Sequence, residues 1–367
     1  MNRMIVSNLV YRPLRSLISI LAIAIEVSLI LLIVGLSLGM LNDNNARQKG
    51  VGADVMVRPP GSSNFSAFSS APVPLKLADI LRRQPHVVAV APVVLQVTSQ
   101  TNIEVIDGID LKSFEAVGGP MRYLSGGPFE GPYDMIVDDL FASANHVQVG
   151  SMLKLWDHDF RICGIIPQGR GARRYLPITT LQDLIGAENK ASMFYVKLDD
   201  PRNADAVVQE FKAIPGMESY NIMSLGEFLS VMSPNNIPLL NTFIRSVVAI
   251  AMVIGFLVIF QAMYTAVLER TREIGILKSM GASKTYIVRV ILRETLVLAI
   301  SGIVVGLVIS FVASSGIRHA IPTLPVHFSW AWVLRAAIIA IIGAMLGALY
   351  PAFKAAQKDP IDALAYE

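Results

Sequence analysis

Three short stretches carry residue types that could do chemistry. "WDHDF" (156–160) sets His158 between Asp157 and Asp159, a trio that could ligate a metal ion. On a strand, however, adjacent side chains alternate faces and do not converge on one ion. A polar hairpin turn is the expected structure. "LSGGP" (124–128) offers glycine amides of the kind that meet a nucleotide phosphate, but Pro128 stands where a glutamine is usual and no Walker A stretch precedes it. "GASKT" (281–285) ends like a phosphate loop without the Gly-x-x-x-x-Gly-Lys spacing that wraps amides around phosphate. His86, His146, His319 and His327 are scattered, and there is no HExxH or GxSxG. The single cysteine, Cys163, has no CxxC partner and cannot close an intrachain disulfide. Catalysis by this chain is therefore not expected, and neither a metal nor a cofactor is expected to reside on it.

The elements that would position these residues lie in and around a membrane. Of 367 residues 53% are hydrophobic and only 16% charged, against about 25% charged in soluble domains. A net charge of +3 is too small to suggest nucleic acid. Crossing roughly 30 Å of hydrocarbon takes about 20 helical residues, and four runs suffice: 17–41, 243–267, 291–314 and 330–353. The first is too long for the apolar part of a secretory signal and no A-x-A site follows it, so it reads as a retained helix. Arg3, Arg12 and Arg15 flank the first run, a basic stretch separates the second and third, and Lys354 and Lys358 follow the fourth. The short connection 315–329 offers only Arg318. The positive-inside rule then places the N-terminal segment 1–16, residues 268–290 and the tail 354–367 in the cytoplasm. Residues 42–242 fall outside.

That long insertion reads as a mixed α/β domain. "ADVMVRP", "VVAVAPVVLQVTSQ", "NIEVIDGID", "FRICGII" and "SMFYVKLDD" carry strand signals. "PLKLADILRRQ", "LQDLIGAE" and "ADAVVQEFKAI" have helical spacing of apolar residues. The predicted architecture is four transmembrane α-helices with a large α/β extracytoplasmic domain between the first and second. The stretch 59–74, rich in Ser, Pro and Gly, reads as a mobile loop, and "SPNNIPL" marks the return to the membrane.

The charged stretch "LERTREIGILKSMGASKTYIVRVILRE" (268–294) is unlike a plain solvated loop. Its charges are interleaved with Ile274, Ile276, Leu277, Met280, Tyr286, Ile287 and Val290, which can form an apolar face, and Gly281 breaks or bends the run. Such a helix can rest on the bilayer or dock into a partner's groove, and these two readings stay open on physical grounds alone.

The wording of the stretch is more specific. "ERTREIGILKSMGAS" closely resembles the cytoplasmic segment of MacB/FtsX-like ABC transporter permeases, where Glu-Arg-x-x-Glu-Ile-Gly leads into a Gly-Ala turn. The tail "YPAFKAAQKDPIDALAYE" resembles the ending of the same family, and "VQVGSMLKLWDHDFRICGII" resembles part of its periplasmic core domain. The resemblance implies a coupling helix that docks into a dimeric ATPase, with Glu269, Arg270, Arg272, Glu273, Ile274, Gly275, Leu277 and Gly281 at the coupling positions. It implies ATP and Mg on a separate ATPase chain and a second permease copy, identical or paralogous. The implied location is the bacterial inner membrane. The leading implied function is export through a periplasmic adaptor and an outer-membrane channel. The alternatives are lipoprotein release and FtsX-like regulation of cell-wall hydrolases without transport.

Glu26 stands near the middle of the first run, where an acid costs about 2.5–3.5 kcal/mol. It is expected to face other helices, either as a switchable or proton-sensitive contact at a dimer interface, or as a neutral group bonded to hydroxyls such as that of Ser28 or to backbone. Gly302, Gly306, Gly343 and Gly347, spaced by four, are expected packing sites. A Glu26→Gln variant separates the two readings of the acid. Coupled ATPase activity in liposomes should keep its wild-type pH dependence if the role is structural and lose it if Glu26 senses protons.

Overall fold

The computed structural model describes residues 13–62, 73–98, 104–233 and 236–358. The chain divides into a helical unit (through Gly39, Pro238–Ala320 and from Leu324) and an inserted unit (Met40–Ile237 with Ile321–Thr323). Helix α1 (Pro13–Val51) contributes to both.

The inserted unit runs β1 (Val55–Arg58), β2 (Val73–Pro74), α2 (Leu77–Arg82), β3 (Val87–Thr98), β4 (Glu104–Ile109) and α3 (Leu111–Gly118). It continues with β5 (Ser125–Gly126), β6 (Asp134–Asp138), α4 (Asp139–Ala144), β7 (Met152–Leu155), β8 (His158–Ile166) and β9 (Arg174–Pro177). Then come α5 (Ile178–Ile185), β10 (Lys190–Ala191), β11 (Met193–Leu198), α6 (Ala204–Lys212), β12 (Asn221–Ser224) and α7 (Leu225–Val231). Ten strands form one mixed sheet in the order β12-β1-β11-β3-β4-β9-β6-β8-β5, with β7 also on β8. The strand–helix–strand unit β11–α6–β12 is split: β1 lies antiparallel between its two strands. Helices α3, α4 and α7 begin where short polar side chains cap them. Asp110 accepts from the Ser113 amide at 3.1 Å, Asp138 from Phe141 at 2.6 Å and Ser224 from Glu227 at 3.2 Å.

"WDHDF" is a hairpin. Trp156 and Asp157 both have positive φ (46° and 64°), as a two-residue turn of the primed type requires, and Leu155 pairs with His158. The His158 ring stacks on Tyr133 at 5.4 Å. The loop 59–74 ends in β2, which pairs with β10; its residues 63–72 lie outside those described, as do Pro234 and Asn235.

Charge is buried in this unit. Arg173 is 8% exposed and donates to Asp138 at 3.1 Å and to Asp43 at 2.9 Å. Beneath Gly171, Asp107 on β4 is 2% exposed, and its Oδ1 lacks a hydrogen-bond partner. Burial pushes its carboxyl up to about 7, offset in part by Arg47 and the Ala172 amide.

The helical unit contains α8 (Pro238–Glu269), α9 (Thr271–Ser279), α10 (Lys284–Ala320) and α11 (Trp330–Gln357) with the first part of α1. Four of its helices, all but α9, are long and apolar enough to cross a membrane. They overrun the spans expected from composition, because hydropathy marks only the hydrocarbon-depth portion while the helix continues into polar turns. Thus α1 reaches Val51, α10 starts at Lys284 and ends at Ala320, and α8 starts at Pro238.

Small residues set the packing. A Cβ on Gly302 would lie 2.6 Å from the Ile23 Cβ, one on Gly306 2.8 Å from the Ala24 carbonyl oxygen, and one on Gly347 2.7 Å from that of Phe256. Gly343 has ordinary room, its nearest neighbour being 3.7 Å away. Ala336, Ala340, Ala344, Ala348, Ala352 and Ala356 form a fully buried stripe on α11. Arg335 stacks on Trp332 at one end of that helix, and Lys354 lies over Tyr264 and Tyr350 at the other. Trp332 and Tyr350 are separated by about 27 Å of helix at 1.5 Å per residue, close to the hydrocarbon thickness. These are the aromatic and basic anchors of two membrane interfaces.

The Asp107 carboxyl holds a proton in the fold between pH ~4 and ~7 that the unfolded chain, with its ordinary value of 3.8, gives up. Stability must therefore fall as pH rises through that window. Asp107→Asn removes this loss. In thermal unfolding of the full chain in detergent, the variant should gain on wild type between pH 5 and pH 8 by about 2–4 °C for each kcal/mol relieved. An unchanged difference would show that Asp107 is ionised in the fold.

Candidate functional site

The charged segment between α8 and α10 is a short helix with a stop at each end. Helix α8 ends at Glu269, and Arg270 leaves the helical region at φ −107°. Thr271 opens α9, its hydroxyl donating back to the Val267 and Leu268 carbonyls at 3.1 and 2.8 Å. At the far end the Ala282 amide donates to the Leu277 carbonyl and the Gly281 amide to that of Lys278, both at 3.0 Å. This is a Schellman stop, whose first residue past the cap must be left-handed. Gly281 supplies it at φ +92°. The Ser283 hydroxyl then accepts the Tyr286 amide at 3.2 Å and starts α10. "GASKT" is thus a helix–helix turn.

The two faces of α9 differ. Inward, Arg270 donates to both carboxylate oxygens of Glu294 on α10, at 3.3 and 3.1 Å, with the two side chains 14% and 6% exposed. Lys278 donates to the Ala356 carbonyl at 3.1 Å and to that of Lys358, so it caps the C-terminal end of α11, where a cation is favoured. Gly275 is buried, Leu277 is half-buried, and Ile274 packs on the membrane core. Outward, Arg272, Glu273, Ile276 and Met280 are exposed, the last by 71%. Of the eight coupling positions, Arg270, Ile274, Gly275 and Leu277 are turned inward or part-buried, and Glu269, Arg272, Glu273 and Gly281 are exposed.

Glu294 and Lys278 were not among the residues expected from sequence. The unused signal for Glu294 is that an acid inside the apolar run 291–314 needs a partner; nothing local names Arg270, 24 residues earlier, as that partner.

Comparison with known proteins agrees with this architecture. Residues 16–214 match the MacB-like periplasmic core domain, and residues 245–360 match the FtsX-like permease C-terminal region. The chain belongs to the MacB/FtsX-like ABC transporter permeases. It is 30% identical over 197 residues to the uncharacterised ABC transporter permease YknZ of Bacillus subtilis, covering 53% of this chain and 49% of that one. It is 25% identical to the macrolide export ATP-binding/permease protein MacB of Aggregatibacter actinomycetemcomitans, over 100% of this chain and 61% of that one. The crystal structure of the periplasmic region of MacB from Actinobacillus actinomycetemcomitans aligns at 17% identity and a TM-score of 0.38, covering 50% of this chain and 94% of that one. The chain spans about half the length of the curated relatives it matches.

The remaining candidate residues of this MacB/FtsX-like permease are placed as follows. Glu26 is 5% exposed and faces α8, where a Cβ on Gly255 would lie 2.0 Å from its Oε2. Its Oε1 has no hydrogen-bond partner. Ser28 does not bond it, donating instead to the Gly306 carbonyl at 2.9 Å. The glycines of "LSGGP" serve β-pairing: Gly126, at φ +74°, pairs with Gly164 so closely that a Cβ would sit 2.0 Å from the Cys163 carbonyl oxygen. Among the described residues no cluster of His, Cys, Asp and Glu could hold a metal ion. The family's closing motif, from Asp359 onward, lies outside the described residues.

Breaking a buried ion pair by removing one partner costs about 3–5 kcal/mol. Glu294→Ala should therefore lower the unfolding temperature of the detergent-solubilised chain, and the exchanged pair Arg270→Glu with Glu294→Arg should recover part of the loss. Equal destabilisation by the single and exchanged variants would mean the pair contributes through packing alone.

Proposed function

We propose that α9 is the coupling helix through which a dimeric cytoplasmic ABC ATPase moves the permease. The observation that carries this reading is the division of α9 into a fastened face and a presented face. Inward, the Arg270–Glu294 pair ties it to α10 and Lys278 ties it to the end of α11. Outward, Arg272 and Glu273 stand beside Ile276 and Met280, a charged rim next to apolar anchors that suits a groove on a partner. A push on the outward face reaches two membrane helices through fixed polar contacts rather than through a loop. In this reading Arg270, Ile274, Gly275 and Leu277 transmit, while Glu269, Arg272 and Glu273 make contact. Gly281 sets the turn between α9 and α10.

ATP and Mg act on the ATPase, which we read as a separate chain; this chain supplies no catalytic group. A second permease copy, identical or paralogous, completes the unit in the bacterial inner membrane with both termini in the cytoplasm. The inserted domain then works outside, and export with a periplasmic adaptor and an outer-membrane channel is the function we favour, in line with the export named for the MacB relatives. No specific observation favours lipoprotein release or hydrolase regulation over it.

Reversing two presented charges tests the docking role. Arg272→Glu with Glu273→Arg should reduce the ABC ATPase that co-purifies with wild type by about tenfold, as expected for losing roughly 1.5 kcal/mol of charge-assisted contact. Membrane insertion and unfolding temperature should stay as in wild type. Undiminished co-purification would remove these side chains from the interface.

A further inference from the structure

A groove of about 590 Å³ runs between α10 and α11 at the charged end of the helical unit. Its α10 wall has two rows one residue apart. Val288, Leu292 and Leu296 form an apolar floor at steps of four, and Arg289 and Arg293 run beside them with Lys284 at the mouth. Met345 and Phe353 close the α11 side; among the described residues no Asp or Glu lines the groove, and Arg293 is already engaged in a contact of its own. The volume lies in the range of ligand sites, about 300–1,000 Å³.

We propose that this groove binds one anionic phospholipid, its phosphate held by Lys284 and Arg289 and one acyl chain laid along Val288, Leu292 and Leu296. Three observations select this occupant. Lys284 and Arg289 lie toward the start of α10 and Leu292 and Leu296 farther along it, matching an anionic amphiphile, and a guanidinium binds phosphate oxygens in pairs. The depth is that of lipid: Lys354 donates to the Tyr264 hydroxyl at 3.3 Å and lies over the Tyr264 and Tyr350 rings, an anchor at headgroup level next to the groove residue Phe353. Leu296 lies about 18 Å along α10 from Lys284 at 1.5 Å per residue. A soluble partner cannot follow that floor into hydrocarbon, and an acyl chain can. Basic pockets between membrane helices on the cytoplasmic side suit acidic headgroups. This placement of the charged end rests on the same orientation as the coupling reading but needs no ATPase.

The site adjoins the turn 280–283 at the start of α10, so a bound headgroup would brace the helix on which α9 hangs. The test uses the full chain in mild non-ionic detergent and native mass spectrometry with added phosphatidylglycerol or phosphatidylcholine. Phosphatidylglycerol should be retained at one molecule per chain and in preference to phosphatidylcholine. Lys284→Gln with Arg289→Gln should cut retention about tenfold or more, the order expected for two basic groups at an anionic surface. Leu292→Trp, which fills the floor and keeps the charges, should also cut it, while Arg289→Lys, which keeps the charge but loses the paired guanidinium contact, should bind more weakly than wild type and better than the double variant. Equal retention of phosphatidylcholine, displacement by inorganic phosphate alone, or unchanged retention in the variants would overturn the proposal. So would dissociation of a permease dimer by Leu292→Trp without lipid loss, which would make the groove a face between copies. Should a variant fail to fold, a photoactivatable phosphatidylglycerol on the wild-type chain must label residues 284–296; labelling elsewhere overturns the proposal.

Discussion

Six alanines on α11, from Ala336 to Ala356 at every fourth position, run a row of methyl groups along the buried side of that helix. Within hydrocarbon the helices gain little by excluding apolar surface from a solvent equally apolar. They are held by close packing, and close packing demands small residues. Helix α11 packs on both α8 and α10. Gly347 admits the Phe256 carbonyl, and Gly302 and Gly306 do the same for α1 on α10. The polar contacts of α9 depend on that arrangement, because Glu294 and the Ala356 carbonyl are within its reach only when α10 and α11 hold these positions.

The charged helix α9 is consequently an attached part of the helical unit. Its stop at Gly281 leaves α10 free to start on a new axis, and its inward side spends its charges on internal partners. What remains for a partner is a narrow face. If the groove beside it takes an anionic lipid, the same end of the bundle carries two basic surfaces with separate tasks. On these two proposals Arg272 would meet a protein and Arg289 a headgroup.

The inserted domain follows a different rule. Its sheet is held by a water-excluded core, and the charges buried there are paired, as Arg173 is with Asp138 and Asp43, or raised toward neutrality, as at Asp107. Glu26 in the helical unit has neither hydroxyl nor amide on its Oε1, and it lies against Gly255 of α8, where a Cβ would collide with its carboxylate. Ser28, offered beside backbone as a partner for Glu26, does not serve because its hydroxyl donates to a carbonyl elsewhere. Here that carbonyl belongs to Gly306 on the neighbouring helix.

Sequence alone determined the properties that repeat along the chain or follow from local geometry. Four spans were legible because about 20 successive apolar residues have no other stable use. The strands β3, β4, β8 and β11 were legible from their branched residues, the 156–157 hairpin from its polar turn, and the break at Gly281 from the glycine itself. Tertiary structure decided what depends on distant residues meeting. The short strands β6 and β9 in mid-sheet, the insertion of β1 between β11 and β12, the turning of Arg270 inward to Glu294, and the groove between α10 and α11 all join segments far apart in the chain. A pattern of apolar and charged residues states which face is buried, but not against what; that choice is made by the packing of whole helices and strands.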